Sequence, residues 1–171
     1  MNITLPDGSV KKLEAGSTGF DLANDIGPGL AKAAIAVSVN GIQKDISDPI
    51  NEDSEVSIIT IDSDDGLEIM RHTLTAQVLA KAVKNLFPGT KLAIGPTIKD
   101  GFYYDFEFVK PIAPDDLEKI EKEMQKIINS KSSITKRLHN KKDALKVFNS
   151  AGESYKESII EESEQEDNFQ L

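Results

Sequence analysis

At 171 residues, 39% hydrophobic and 29% charged, the chain suits one or two small domains and is too apolar to be disordered. It contains no Cys, which excludes disulfides, thiolate nucleophiles and Cys-ligated metals among these residues. The net charge of −9 argues against a general nucleic-acid binder, yet residues 121–150 carry eight Lys/Arg against three Asp/Glu, a strip that RNA could use.

In chain order, ITL and SVKKL can pair across a Pro6-Asp7-Gly8 turn. Ser17 or Thr18 can cap a short helix with Asp21 near its first turn, and Phe20, Leu22, Ala23 and Ile26 supply a buried side. Gly27-Pro28-Gly29 stops it. AIAVSV is a strand. Asn40-Gly41 is a strong two-residue hairpin signal, so IQKDI returns antiparallel, and EVSIITI is a last β-rich run. The order ββαβββ fits a β-grasp sheet packed on one helix.

IDSDDG interrupts this pattern, and the expected join between two domains lies near Asp62–Gly66. From Leu67 to Phe87 the apolar period is helical, through Leu67, Met70, Leu74, Val78, Leu79, Ala82, Val83 and Leu86. KLAIGPTI and FYYDFEF are two strands joined at Lys99-Asp100-Gly101. Pro114-Asp115-Asp116 opens a second helix with the apolar stripe Leu117, Ile120, Met124, Ile127 and Ile128. SITKRL is a strand, KDALKVFNS a helix closed by Ala151-Gly152, SYKESIIEE a further helical stretch, and EDNFQL begins something β-like. The start MNITLPDGSV lacks the features of a signal peptide, and AAIAVSV is too short to span a bilayer. A cytoplasmic protein without membrane association is expected.

LPDGS, DIGPGLAKA, GLEIMRH, KLAIGPTIKDGFYYDF and GESYK, in this order and spacing, resemble the N-terminal region of bacterial threonyl-tRNA synthetases. The resemblance covers nearly the whole chain. It implies an α+β protein: a ubiquitin-like β-grasp TGS domain over 1–61, then over 62–171 most of an editing domain like that of threonyl- and alanyl-tRNA synthetases. Such a synthetase joins threonine to its tRNA, and a pocket cannot exclude the smaller serine well by binding alone. The second domain would hydrolyse the wrong seryl ester. The implied partner is threonine-specific tRNA. ATP, Mg and Zn would belong to a catalytic domain outside these residues, as would any homodimer contact, and no cofactor or metal is expected here.

The resemblance carries over His72, after Arg71; Lys156, in Gly152-Glu153-Ser154-Tyr155-Lys156; and Tyr104, beside Asp105, in GFYYD. The family's later Cys-Arg-Gly-Pro-His motif is not among these residues, so this stretch alone is expected not to be a fully active editing unit. The family also places a second His four residues after the first. Here Gln77 occupies that place, five residues after His72. On an ideal α-helix such residues lie about 140° apart, so a one-residue bulge confined to Thr73–Thr75 is expected to restore a common face. Lys136, Arg137, Lys141 and Lys142 are candidates for RNA phosphate contact. A non-catalytic TGS-containing module that binds RNA or another partner is the alternative reading.

Overall fold

Local chemistry sets the first hairpin. In the computed structural model, which describes residues 1–171, Gly8 takes φ 81° and the Asp7 carboxylate accepts the Ser9 N–H at 2.9 Å, turning β1 (Asn2–Thr4) into β2 (Val10–Lys12). Thr18 and Asp21 cap α1 (Gly19–Ile26) reciprocally. The Asp21 N–H donates to Thr18 Oγ1 at 3.1 Å, and the Thr18 N–H to Asp21 Oδ2 at 2.8 Å. Gly27 ends α1, but Pro28 does not end helical structure. It begins a second short helix, α2 (Pro28–Ala33), at a position where a missing N–H costs nothing. The first unit is therefore ββααβββ, one helix more than expected.

β3 (Ala34–Val39) and β4 (Ile42–Asp45) are joined by Asn40 and Gly41 at φ 51° and 79°, the pair of positive angles a type I′ turn requires. With β5 (Ser54–Thr60) the sheet order is β2-β1-β5-β3-β4. β1 and β5 run parallel and every other neighbouring pair is antiparallel, which is the β-grasp arrangement. α1 lies against this sheet so closely that a Cβ at Gly19 would come 2.8 Å from that of Val37. Ile3, Leu22, Val37, Val39, Ile50 and Val56 form the core. Of the four α1 residues expected inside, Leu22 and Ala23 are fully buried, whereas Phe20 and Ile26 are exposed. The contact face is Gly19, Leu22 and Ala23; Phe20 is turned about 100° from Gly19, and Ile26 sits where the chain leaves for α2.

Ser63 begins α3 (Asp64–Thr73) by accepting the Gly66 N–H at 3.0 Å while donating to the Thr60 carbonyl at 2.8 Å. The chain divides into two compact units, Met1–Met70 and Arg71–Leu171, and the division falls inside α3.

In the second unit the helix widens into a π segment, Leu74–Leu79, and returns to α geometry in α4 (Ala80–Leu86). α5 (Pro114–Asn129) starts on Pro114, with the Ala113 N–H held by Asp116 Oδ2 at 2.9 Å. Ala82, Val83 and Ile120 form the buried centre, with Leu79, Leu86, Phe87, Phe106, Phe108, Met124 and Ile127 packed around it. The expected stripes are only partly buried: Leu67, Met70, Leu117 and Ile128 are exposed.

The two strands expected between the helices are shorter and interrupted. β6 (Lys91–Leu92) pairs with β9 (Phe106–Glu107), and β7 (Thr97–Ile98) with β8 (Gly101–Phe102). Between them Pro96 offers no N–H, and irregular backbone bonds such as Asp105 N–H to Ile94 O, 2.9 Å, replace the ladder. The reversal itself is Lys99-Asp100, with Gly101 already in the strand. Of the expected SITKRL strand only Leu138 is in a strand: β10 (Leu138–His139) pairs with β11 (Phe169–Gln170) in the tail. Between these lie α6 (Lys141–Ala151), capped by Asn140 and closed by Gly152 at φ 69°, and α7 (Ser154–Glu162).

Candidate functional site

A π segment is present, as the residue count required, but it runs Leu74–Leu79 and so extends four residues beyond the expected Thr73–Thr75. The Ala80 N–H donates to the Thr75 carbonyl, five residues back, instead of to Ala76. Residues five apart are then about one turn apart, as residues four apart are in an α-helix. His72 lies at the end of α3, two residues before the π segment, and Gln77 lies within it; both side chains are exposed. Thr75 is fully buried, and its hydroxyl donates to the Arg71 carbonyl at 2.7 Å. Such back-bonding to the preceding turn bends helices.

Thr75 also sets the distance to the aromatic strand. A Cβ at Gly95, in the IGP string, would lie 2.8 Å from Thr75 Cγ2 and 2.7 Å from Tyr104 Cγ. Glycine therefore lets the π segment, the IGP loop and Tyr104 close on one another. The Tyr104 ring leans on Phe106, with centroids 4.5 Å apart. Burial, and after it the charge of Glu153, holds the Tyr104 phenol above its ordinary pKa. Asp105 is fixed by its backbone to Ile94 and Ala93, which leaves its carboxylate exposed. Tyr104 and Asp105 are the polar members of a cavity of about 490 Å³ lined otherwise by apolar groups including Leu79, Val83, Phe108 and Ile120. Apolar walls with a few polar groups suit a small organic ligand.

GESYK supplies more than Lys156. Glu153 is only 5% exposed; its carboxylate accepts from Lys84 Nζ and, at 3.3 Å, from the Leu92 N–H. Tyr155 Oη donates to Glu107 Oε2 at 2.6 Å, with Lys91 Nζ 3.5 Å from the same carboxylate. The Tyr155 hydroxyl, and then Lys91, hold the Glu107 carboxyl below the usual range. Lys156 is half-buried, with its ammonium 5.8 Å from the centre of the Phe148 ring. Sequence reasoning missed Glu153, which lies in the GESYK string between α6 and α7.

The four basic candidates do not form an unopposed patch. Lys141 Nζ donates to the Ser163 carbonyl at 2.7 Å and lies 3.7 Å from Glu166. Lys141 and Lys142 share a second cavity, about 540 Å³, with Glu157, Glu161 and Glu166. Arg137 is exposed and pairs through its backbone with Leu171, and Lys136 is half-buried.

Residues 1–60 match the family model of the TGS domain. Over 158 residues, 92% of the chain, the sequence is 47% identical to the threonine–tRNA ligase of Rhodospirillum rubrum, of which it covers 24%. It is 50% identical over 159 residues to that of Legionella pneumophila, covering 93% of the chain and 25% of the relative. With that of Burkholderia ambifaria the identity is 46% over all 171 residues, 27% of the relative. The chain is thus similar to a TGS domain over residues 1–60 and to the N-terminal part of threonine–tRNA ligases over nearly its whole length.

The TGS match ends at Thr60, the last residue of β5, so it coincides with the β-grasp sheet. The ligase match runs on through the π segment, the aromatic hairpin and GESYK. The chain spans about a quarter of the length of these relatives. No helix is long and apolar enough to cross a membrane.

Proposed function

We propose that this chain is the TGS domain and most of the editing domain of a cytoplasmic threonine–tRNA ligase, and that its second unit supplies part of a site that hydrolyses threonine-specific tRNA wrongly charged with serine. The observation that carries the reading is the 45–50% identity to such ligases, extending over nearly the whole chain. In the reaction, water adds to the ester carbonyl, the bond to the ribose oxygen breaks, and serine leaves as the ribose hydroxyl regains a proton. His72 takes the water's proton or holds the water in place. Gln77 has no basic nitrogen near neutral pH and holds a water or ribose hydroxyl. Lys156 offsets the charge that develops on the carbonyl oxygen. Tyr104 and Asp105 bind the aminoacylated adenosine. Arg137 and Lys142, with Lys136 and Lys141, meet backbone phosphate. The hydrolysis takes no cofactor; ATP, Mg and Zn serve the ligation step elsewhere in the ligase.

The test is release of amino acid from seryl- and threonyl-tRNA by this chain and by its His72→Ala and Lys156→Met variants. Serine should leave faster than threonine, and each variant should slow its release by roughly 10²-fold or more. Equal release of the two amino acids, or variants as fast as the unsubstituted chain, would refute the reading.

A further inference from the structure

Glu153 stands at the position that caps α7, yet its carboxylate makes no bond to the helix it starts. It points into the unit, to Lys84 on α4 and to the Leu92 N–H on β6. Burying a carboxylate is costly unless a counter-charge and hydrogen-bond donors are close; here the Lys84 ammonium meets one oxygen and the Leu92 N–H the other. An apolar residue of similar volume could serve stability as well, so what the charged pair adds is a defined geometry.

That geometry is specific. β6 and β9 pair with Lys91 opposite Glu107 and Leu92 opposite Phe106. Glu153 grips the β6 side of this pair, and Tyr155, two residues on, grips Glu107 on the β9 side. The next residue is Lys156. Tyr104 lies two residues before Phe106, close enough to Glu153 for its phenol to feel that charge. We propose that Glu153 is a positioning residue for the second unit's site: by tethering the first turn of α7 to α4 and β6, it holds Lys156 in register with the strand that carries Tyr104. The role rests on the hydrolytic reading above.

Three signals in the full chain test the tether. The ring current of Phe148 on the Lys156 methylenes reports where Lys156 sits. The Tyr104 phenol, titrated by NMR, reports the nearby charge. Affinity for 3′-amino-3′-deoxyadenosine carrying L-serine through an amide, a stable mimic of the ester, reports the assembled site. In Glu153→Gln, with the Val83 and Ile120 methyl signals retained, the Lys156 ring-current shift should collapse. The Tyr104 titration should move down toward 10, and affinity should fall about tenfold or more. Lys84→Met should act alike on the Lys156 signal and on the affinity, though not on the Tyr104 titration because the Glu153 charge stays, and the double variant should be no worse than Glu153→Gln alone. Glu162→Gln, at the exposed end of α7, should change none of these signals. If Glu153→Gln does not fold, Lys84→Met carries the same test, since Lys84 is one-third exposed.

A folded variant that keeps either the Lys156 signature or the affinity would overturn the tether. Failure of the unsubstituted chain to bind the mimic would overturn the hydrolytic reading and with it the role of Glu153. The spectroscopic signals keep that result distinct from a failure of the tether itself.

Discussion

Gly95→Ala should loosen the second unit by a predictable amount. The new methyl would stand 2.7 Å from Tyr104 Cγ and 2.8 Å from Thr75 Cγ2. Carbon atoms in contact settle at roughly 3.5–4.0 Å, so about 1 Å must be found on two sides at once. Neither neighbour yields easily. Thr75 is fully buried and held by its hydroxyl to Arg71, and the Tyr104 ring rests on Phe106. Overpacking of this kind costs about 1–3 kcal/mol. Replacing glycine also narrows the unfolded ensemble, which returns roughly 0.4–1 kcal/mol. A net loss of about 1–2 kcal/mol should lower the midpoint by roughly 4–16 °C for a domain of this size. Tyrosine fluorescence reads this unit alone, because the chain has no Trp and its three tyrosines, Tyr103, Tyr104 and Tyr155, all lie beyond Met70. Thr75→Ser removes the clashing Cγ2 and keeps the hydroxyl bond. Combined with Gly95→Ala it should recover about 0.5–1.5 kcal/mol relative to additive effects. An unchanged midpoint for Gly95→Ala, or strict additivity in the double variant, would show that the close approach of these three residues is not what glycine provides.

Acid should destabilise the TGS domain through carboxylates that are hydrogen-bonded when folded. Bonds from Ser9, Thr18 and Asn2 lower the pKa values of Asp7, Asp21 and Asp53 from 3.8, so their contribution is present above that value and is lost as pH falls through the lower folded values. Amide NMR of β3 and β5 during acid unfolding should show stability falling below about pH 4, and less steeply in Asp21→Asn; stability that rises on acidification would contradict this sign. On the RNA side, Lys142→Gln should weaken tRNA binding and reduce the salt slope by about 1. Glu166→Gln, which frees Lys141 of its acidic neighbour, should strengthen binding, and a salt titration showing no change in either variant would leave the strip as ordinary surface.

How much of this could be seen beforehand depended on the kind of signal. The sheet of the TGS domain was legible because Pro6-Asp7-Gly8 and Asn40-Gly41 punctuate it and its strands alternate. The bulge was legible for a different reason: a helix with matched flanks and one residue too many between His72 and Gln77 must widen somewhere. α2 was not foreseen, because Gly-Pro-Gly usually ends a helix and here also begins one. Phe20 and Ile26 were misplaced because eight residues of apolar pattern do not say which edge of the stripe meets the sheet. The aromatic hairpin was foreseen as two continuous strands, whereas Pro96 and the close packing at Gly95 break it into four short ones. Glu153 was hidden in a polar string, since a sequence does not reveal that a charge is buried until its partner, 69 residues away at Lys84, is brought beside it.

The position of β5 has a consequence for how the TGS domain is made. It is the last strand to be synthesised and the middle strand of the sheet, and it pairs Ser54 with Ile3. Until it emerges, the hairpins β1–β2 and β3–β4 exist without the strand that joins them, and an isolated hairpin is marginal in water. At roughly 5–20 residues per second the ribosome needs several seconds to cover that interval. For that time the inner edges of β1 and β3 are open, and a nascent chain beside another would meet it with unpaired strands.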